Sequence, residues 1–145
     1  MNAARIYLAS SWRNPHQPWL VELLRNDGHH VYDFRNPPNL TGFAWREIGL
    51  DAKTCTAEEY RTALLTHPRA AQGFNADFAA MRWANVGLLV LPCGRSAHLE
   101  LGWLAGAGKR TLILTQDGEE PELMALLADK ICISVDEVRE ELRNG

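Results

Sequence analysis

Cysteine is scarce in this 145-residue chain, and the three present, Cys55, Cys93 and Cys132, show none of the paired spacings of metal sites or disulfide frameworks. A reduced, cytoplasmic setting is the expectation. No apolar run reaches membrane-spanning length, and Met1 to Arg5 leads directly into a strand pattern without a signal sequence, so a soluble, unprocessed chain is expected. Basic excess is missing too: the net charge is −3 and Lys and Arg are scattered, which argues against nucleic acid or a membrane surface as partner while leaving room for a small anion. Internal repeats, low-complexity tracts and a second-domain linker are absent. With 46% hydrophobic residues, residues 1–145 fit one domain with a real core and one site.

Short apolar runs bounded by turn residues stand at Ile6–Ala9, His30–Phe34, Val86–Leu91, Thr111–Thr115 and Lys130–Ile133, alternating with helical patterns. The first helix is expected from about Pro15 to Asp27, with Gly28 at its stop. Thr56 to Glu59 and Ser134 to Glu137 have capping-box spacing, and Pro121 suits a first helical turn. Strand and helix in alternation imply an α/β three-layer sandwich with a five-stranded parallel sheet, of flavodoxin-like, Rossmann-like order 2-1-3-4-5. That order brings the carboxyl ends of strands one and three together, so the loops Ser10–Asn14 and Pro92–Ser96 should form the site. The segment at about 35–56, with Pro37-Pro38, Gly42, Gly49, Phe43 and Trp45, is an irregular insertion: an aromatic flap over a ligand, or a surface excursion pinned by its aromatics.

Glu100 stands between Leu99 and Leu101, with Trp103 and Leu104 beyond, a setting in which a carboxylate needs a partner or a task. One reading makes it catalytic; the other has Ser96 cap the helix and Glu100 complement its dipole. Asp77 lies at helical spacing from Ala80, Met81 and Ala84, again either a site carboxylate or a first-turn residue of a helix capped by Asn75. Two such carboxylates suit glycosyl transfer, whose oxocarbenium-like transition state needs negative charge beneath the sugar and a proton for the leaving group. Tyr7 needs a partner for its hydroxyl if buried, and Glu100 is a candidate, although the residues alone favour a half-buried tyrosine reaching solvent. Ser11 and Arg13, at the start of the first helix, suit a phosphate. His98 has the chemistry to protonate a departing base, yet a plain helix-turn role is the preferred reading. His16, His29, His30 and His67 lack ligand spacing with nearby Cys or Asp, so neither a metal nor a cofactor is expected.

Together, I-Y-L-A-S-S-W-R at the start, D-F-A-A-M-R-W-A-N before the third strand and H-L-E-L-G-W-L-A-G-A-G-K after it resemble the nucleoside 2-deoxyribosyltransferase superfamily, including its 2′-deoxynucleoside 5′-phosphate N-hydrolase branch. The resemblance spans essentially the whole fold apart from the insertion. It implies Glu100 as nucleophile at the anomeric carbon, Tyr7 as the residue that orients it, and Asp77 as the aspartate that positions substrate and handles the leaving-group proton. Ser11 and Arg13 match phosphate-contacting positions of the monophosphate hydrolases, with Ser10 beside them.

Two positions depart from the pattern. Gly94 stands where the transferases carry aspartate and the monophosphate hydrolases serine, with Arg95, Ser96 and His98 as substitutes, and Asn85 replaces an aspartate before the third strand. The expectation is an enzyme that cleaves or transfers the N-glycosidic bond of a nucleoside or nucleoside 5′-monophosphate through a covalent glycosyl-Glu100 intermediate. The rivals are a non-catalytic nucleotide-binding module and a glycohydrolase of NAD or a related dinucleotide. The family habit of completing sites across subunits, with five tryptophans including Trp19 and Trp103, makes a homodimer the default.

Overall fold

The computed structural model describes residues 2–145. Five strands, β1 (Arg5–Ala9), β2 (His30–Tyr32), β3 (Val86–Val90), β4 (Arg110–Leu114) and β5 (Lys130–Cys132), form one all-parallel sheet in the order β2-β1-β3-β4-β5. The helices are α1 (Gln17–Asn26), α2 (Ala57–Thr66), α3 (Pro68–Trp83), α4 (Arg95–Gly106) and α5 (Val135–Asn144). This is the three-layer α/β architecture and strand order that the alternating pattern implies. The chain divides into two compact units, one of residues up to Asp33 with Met81–Gly145, the other Phe34–Ala80.

In the first unit, side-chain alternation sorts the sheet into two faces. Ile6, Leu8, Val31, Val86, Leu88, Val90, Leu112 and Cys132 point one way and pack with Leu20, Val21 and Leu24 of α1 and Val138 and Leu142 of α5. Burying each such aliphatic side chain contributes roughly 1.5–3 kcal/mol before entropy is counted. On the opposite face Gly87 is opposed to Tyr7 in the β1–β3 register, and Leu104 of α4 sits directly over it. A Cβ at Gly87 would lie 2.7 Å from Leu104 Cδ1 and 3.3 Å from Leu104 Cβ, so only glycine lets α4 come this close.

The second unit holds α2, most of α3 and a 3-10 turn at Trp45–Ile48. Thr56 and Glu59 form the expected reciprocal box at the start of α2, each side chain bonding the other's backbone N–H. Phe43 meets Trp45 edge-on at 5.0 Å between centroids, Trp45 meets Tyr60 at 5.8 Å, and the Arg69 guanidinium lies 5.5 Å from the Phe43 ring centre. Arg69 also pairs with Glu47 at 3.3 Å and donates to the Thr41 carbonyl. The aromatics of the insertion thus contact one another and the helices of their own unit.

Several local expectations give way to the structure. Strand β2 stops at Tyr32, short of Phe34: the Asp33 carboxylate accepts from the buried Gln17 amide of α1, and Phe34 begins the other unit. Pro121 starts no α-helix. It precedes a 3-10 turn, Leu123–Leu127, in which Glu122 caps the Met124 N–H. Ser134 caps α5 by accepting from the Glu137 N–H, whereas the Glu137 carboxylate accepts from the Ile133 N–H one residue outside the box. Helix α3 begins at Pro68, not near Asn75, and the His67 ring nitrogen Nδ1 accepts the Arg69 N–H at that start.

Candidate active site

Tyr7 has its ring 1% exposed on β1, and its hydroxyl donates to Glu100 Oε2 at 2.6 Å. The solvent-reaching tyrosine favoured by the residues alone is therefore overturned. The reason is non-local: Gly87 admits Leu104, and Glu100, one helical turn before Leu104, is carried to the strand beside it. Tyr32, opposite Tyr7 on β2, stacks on the Tyr7 ring at 5.5 Å and 14°. A bond of this length to a carboxylate lies in the charge-assisted range.

The alternative in which Ser96 caps the helix and Glu100 serves the dipole also fails. Gly94 occupies the cap in extended backbone with no side-chain bond, Ser96 is the second helical residue, and Glu100 is the sixth, beyond the first turn where the dipole acts. A Cβ at Gly94 would meet nothing within 4 Å, so the residue leaves open space at the mouth of the helix. His98 is exposed and its Nδ1 lies 2.9 Å from the Gly94 carbonyl, a bond back to the previous turn that accords with the helix-turn role. The Cys93 sulfur lies 3.7 Å from the same nitrogen. Burial, with the Glu119 and Glu100 carboxylates adding to it, pushes its thiol up to about 11, so it stays protonated near neutrality.

The two loops expected to meet at the switch point do meet. Ser10 Oγ donates to the Val90 carbonyl at 2.9 Å, and the buried Asn14 amide reaches Ser10 Oγ, the Val90 carbonyl and the Pro92 carbonyl. Ser10, counted among the substrate contacts in the sequence, thus has its hydroxyl proton held inside the protein. Ser11 Oγ accepts the Arg13 N–H at 3.1 Å, and the Arg13 side chain is exposed at the entrance to α1. Asn14 closes the expected Ser10–Asn14 loop, although neither its type nor its spacing marks its side chain as the one that bonds across to the other loop.

Asn85, just before β3, accepts the Arg5 N–H at 2.8 Å through its amide oxygen. Lys109, the last residue of the G-A-G-K segment, donates to the Arg82 and Ala84 carbonyls at the end of α3, a favourable place for a cation. Burial there holds its pKa below the usual lysine value. Asp77 is half-buried near the middle of α3, in the other unit, so the first-turn dipole role drops away for it as well. Among the described residues no group of three or more His, Cys, Asp or Glu is placed to hold a metal ion.

No protein-family model matches the chain, and no curated protein matches it in sequence. Solved structures do match. A 2-deoxyribosyltransferase from the psychrotolerant bacterium Bacillus psychrosaccharolyticus superposes with a TM-score of 0.63 at 20% identity, covering 92% of this chain and 88% of that one. The CMP N-glycosidase BcmB of Clostridium botulinum superposes with a TM-score of 0.55 at 14% identity, covering 96% of each chain. At these identities the likeness is one of fold.

Proposed function

We propose that this chain cleaves or transfers the N-glycosidic bond of a nucleoside or nucleoside 5′-monophosphate, with Glu100 as the nucleophile. The observation that carries the reading is the 2.6 Å bond from the buried Tyr7 hydroxyl to Glu100, a carboxylate oriented at the switch point of a fold shared with a deoxyribosyltransferase and an N-glycosidase. A glutamate oxygen attacks the anomeric carbon as the bond to the base breaks, and the departing nitrogen takes the bonding pair. Asp77, by the resemblance of its helix motif, supplies the proton or hydrogen bond that the base needs. Water then attacks the anomeric carbon of the glycosyl ester and releases Glu100; a second nucleobase in place of water makes the enzyme a transferase.

The substrate's 5′ end is assigned to Ser11 and Arg13, in the loop between β1 and α1, where a hydroxyl and a guanidinium favour a phosphate. Gly94, Ser96 and His98, at the amino end of α4, are the remaining candidate contacts, with room above Gly94. A cytoplasmic homodimer fits this reading. The test is incubation with a panel of nucleosides, nucleoside monophosphates and NAD, with free base followed by chromatography. Base release from nucleosides or monophosphates supports the proposal; release from NAD alone favours a dinucleotide glycohydrolase, and no release favours a binding module.

A further inference from the structure

Asn14 is 0% exposed, and no role in the reaction has been given to it above. Its amide nitrogen has two hydrogens facing three acceptors, Ser10 Oγ at 3.1 Å, the Pro92 carbonyl at 3.3 Å and the Val90 carbonyl at 3.4 Å. Its amide oxygen accepts the His16 N–H at 2.9 Å, and its backbone N–H bonds the Ser11 carbonyl at 3.0 Å. One side chain therefore joins the loop after β1, which carries Ser11 and Arg13, to the loop after β3, which leads through Gly94 into the helix of Glu100. Strands β1 and β3 pair up to Ala9 and Leu89, and beyond that point the side chains of Ser10 and Asn14 bond across to the Val90 and Pro92 carbonyls.

We propose that Asn14 is a positioning residue that couples the anion-reading loop to the nucleophile helix, so that a bound 5′-phosphate fixes the sugar over Glu100. The idea rests on the reaction proposed above for its kinetic consequence, though not for its structural one. Asparagine is demanded by the acceptors around it. Aspartate has the same shape but brings a carboxylate against two carbonyl oxygens and keeps no N–H to donate. Serine retains one donor in a smaller side chain.

The experiment compares wild type with Asn14→Asp and Asn14→Ser in two measurements. In hydrogen exchange followed by mass spectrometry, both variants should lose protection together in residues 10–17 and in residues 92–98, with the rest of the sheet unchanged. In steady-state kinetics the ratio of kcat/KM for a nucleoside monophosphate to that for its nucleoside should fall roughly tenfold, the scale of one lost hydrogen bond. Arg13→Ala should then cost less in the Asn14→Ser background than in wild type. Loss of protection confined to residues 10–17, or an equal fall for both substrates, overturns the proposal. If wild type releases no base from either substrate, the proposed reaction fails, and the exchange measurement still decides whether Asn14 couples the loops.

Discussion

Replacing Gly87 by alanine tests how the candidate nucleophile is held in place. The added Cβ would stand 2.7 Å from Leu104 Cδ1, 3.3 Å from Leu104 Cβ and 3.5 Å from Leu101 Cδ1. Leu104 is fully buried, so any shift of its side chain is taken up by the packing of α4 against β3. Overpacking of this kind costs about 1–3 kcal/mol. For a chain of this size that lowers the thermal midpoint by roughly 3–12 °C. Any lift of α4 also lengthens the Tyr7–Glu100 bond, since Glu100 is one turn from Leu104, and misplacement by about 1 Å is able to cost on the order of a hundredfold in rate. Leu104→Val removes the atom that clashes at 2.7 Å. The double variant should be more stable than the sum of the single changes by about 1 kcal/mol or more, and should regain part of the lost base release. Thermal unfolding and chromatography of free base provide the assays. A Gly87→Ala protein with unaltered midpoint and turnover, or strictly additive effects with Leu104→Val, would show that the close approach at Gly87 does not seat Glu100.

Tyr7→Phe keeps the buried ring and removes the donor to Glu100; a bond to a charged group is worth about 1.5–3 kcal/mol, so turnover should fall roughly ten- to a hundredfold while the unfolding midpoint moves little. Asp77→Asn should slow release of an ordinary base by about 10²–10⁴-fold and slow far less the cleavage of a substrate with an activated leaving group; an equal slowing of both assigns Asp77 to sugar binding or helix support. Acid should destabilise the fold in two stages. Burial lowers the pKa of His29, whose Nδ1 accepts the Ala4 N–H at 3.0 Å, so the unfolded chain binds its proton more readily. The stability it contributes is complete above the ordinary value of 6.5 and declines as pH falls from there through the folded value. The two-pronged bond from Arg139 lowers the pKa of Asp27, whose contribution is present above the ordinary 3.8 and is lost as pH falls through its folded value. His29→Asn should flatten the upper stage of a midpoint-against-pH curve, and an unchanged slope there contradicts the assignment.

The strand order was legible because each apolar run carries its own turn signals and parallel crossovers leave few arrangements. The meeting of Tyr7 with Glu100 was legible through the family resemblance and not from the residues alone, because it depends on Gly87 being opposite Tyr7 in a register that only the assembled sheet reveals. The start of α3 was hidden for a different reason: its cap is a histidine ring, outside the usual Ser, Thr, Asp and Asn, and Gly73 in its middle looks like a break. Gly73 is instead a close approach, where a Cβ would fall 3.0 Å from Phe43 Cβ. The bridging role of Asn14 was not legible, since beyond Ser10 its amide bonds two backbone carbonyls about eighty residues away, and backbone acceptors leave no mark in a sequence.

Whether Glu100 forms a bond to the sugar is measured most closely by mass spectrometry of the enzyme after exposure to a 2-fluoro-sugar nucleoside or nucleoside monophosphate, which slows breakdown of a glycosyl ester. One added fluoroglycosyl mass is expected on the peptide containing Glu100, with turnover stopping in step with labelling and no labelling of Glu100→Ala. Turnover that continues with no adduct on that peptide, or an adduct on another residue, contradicts Glu100 as the nucleophile.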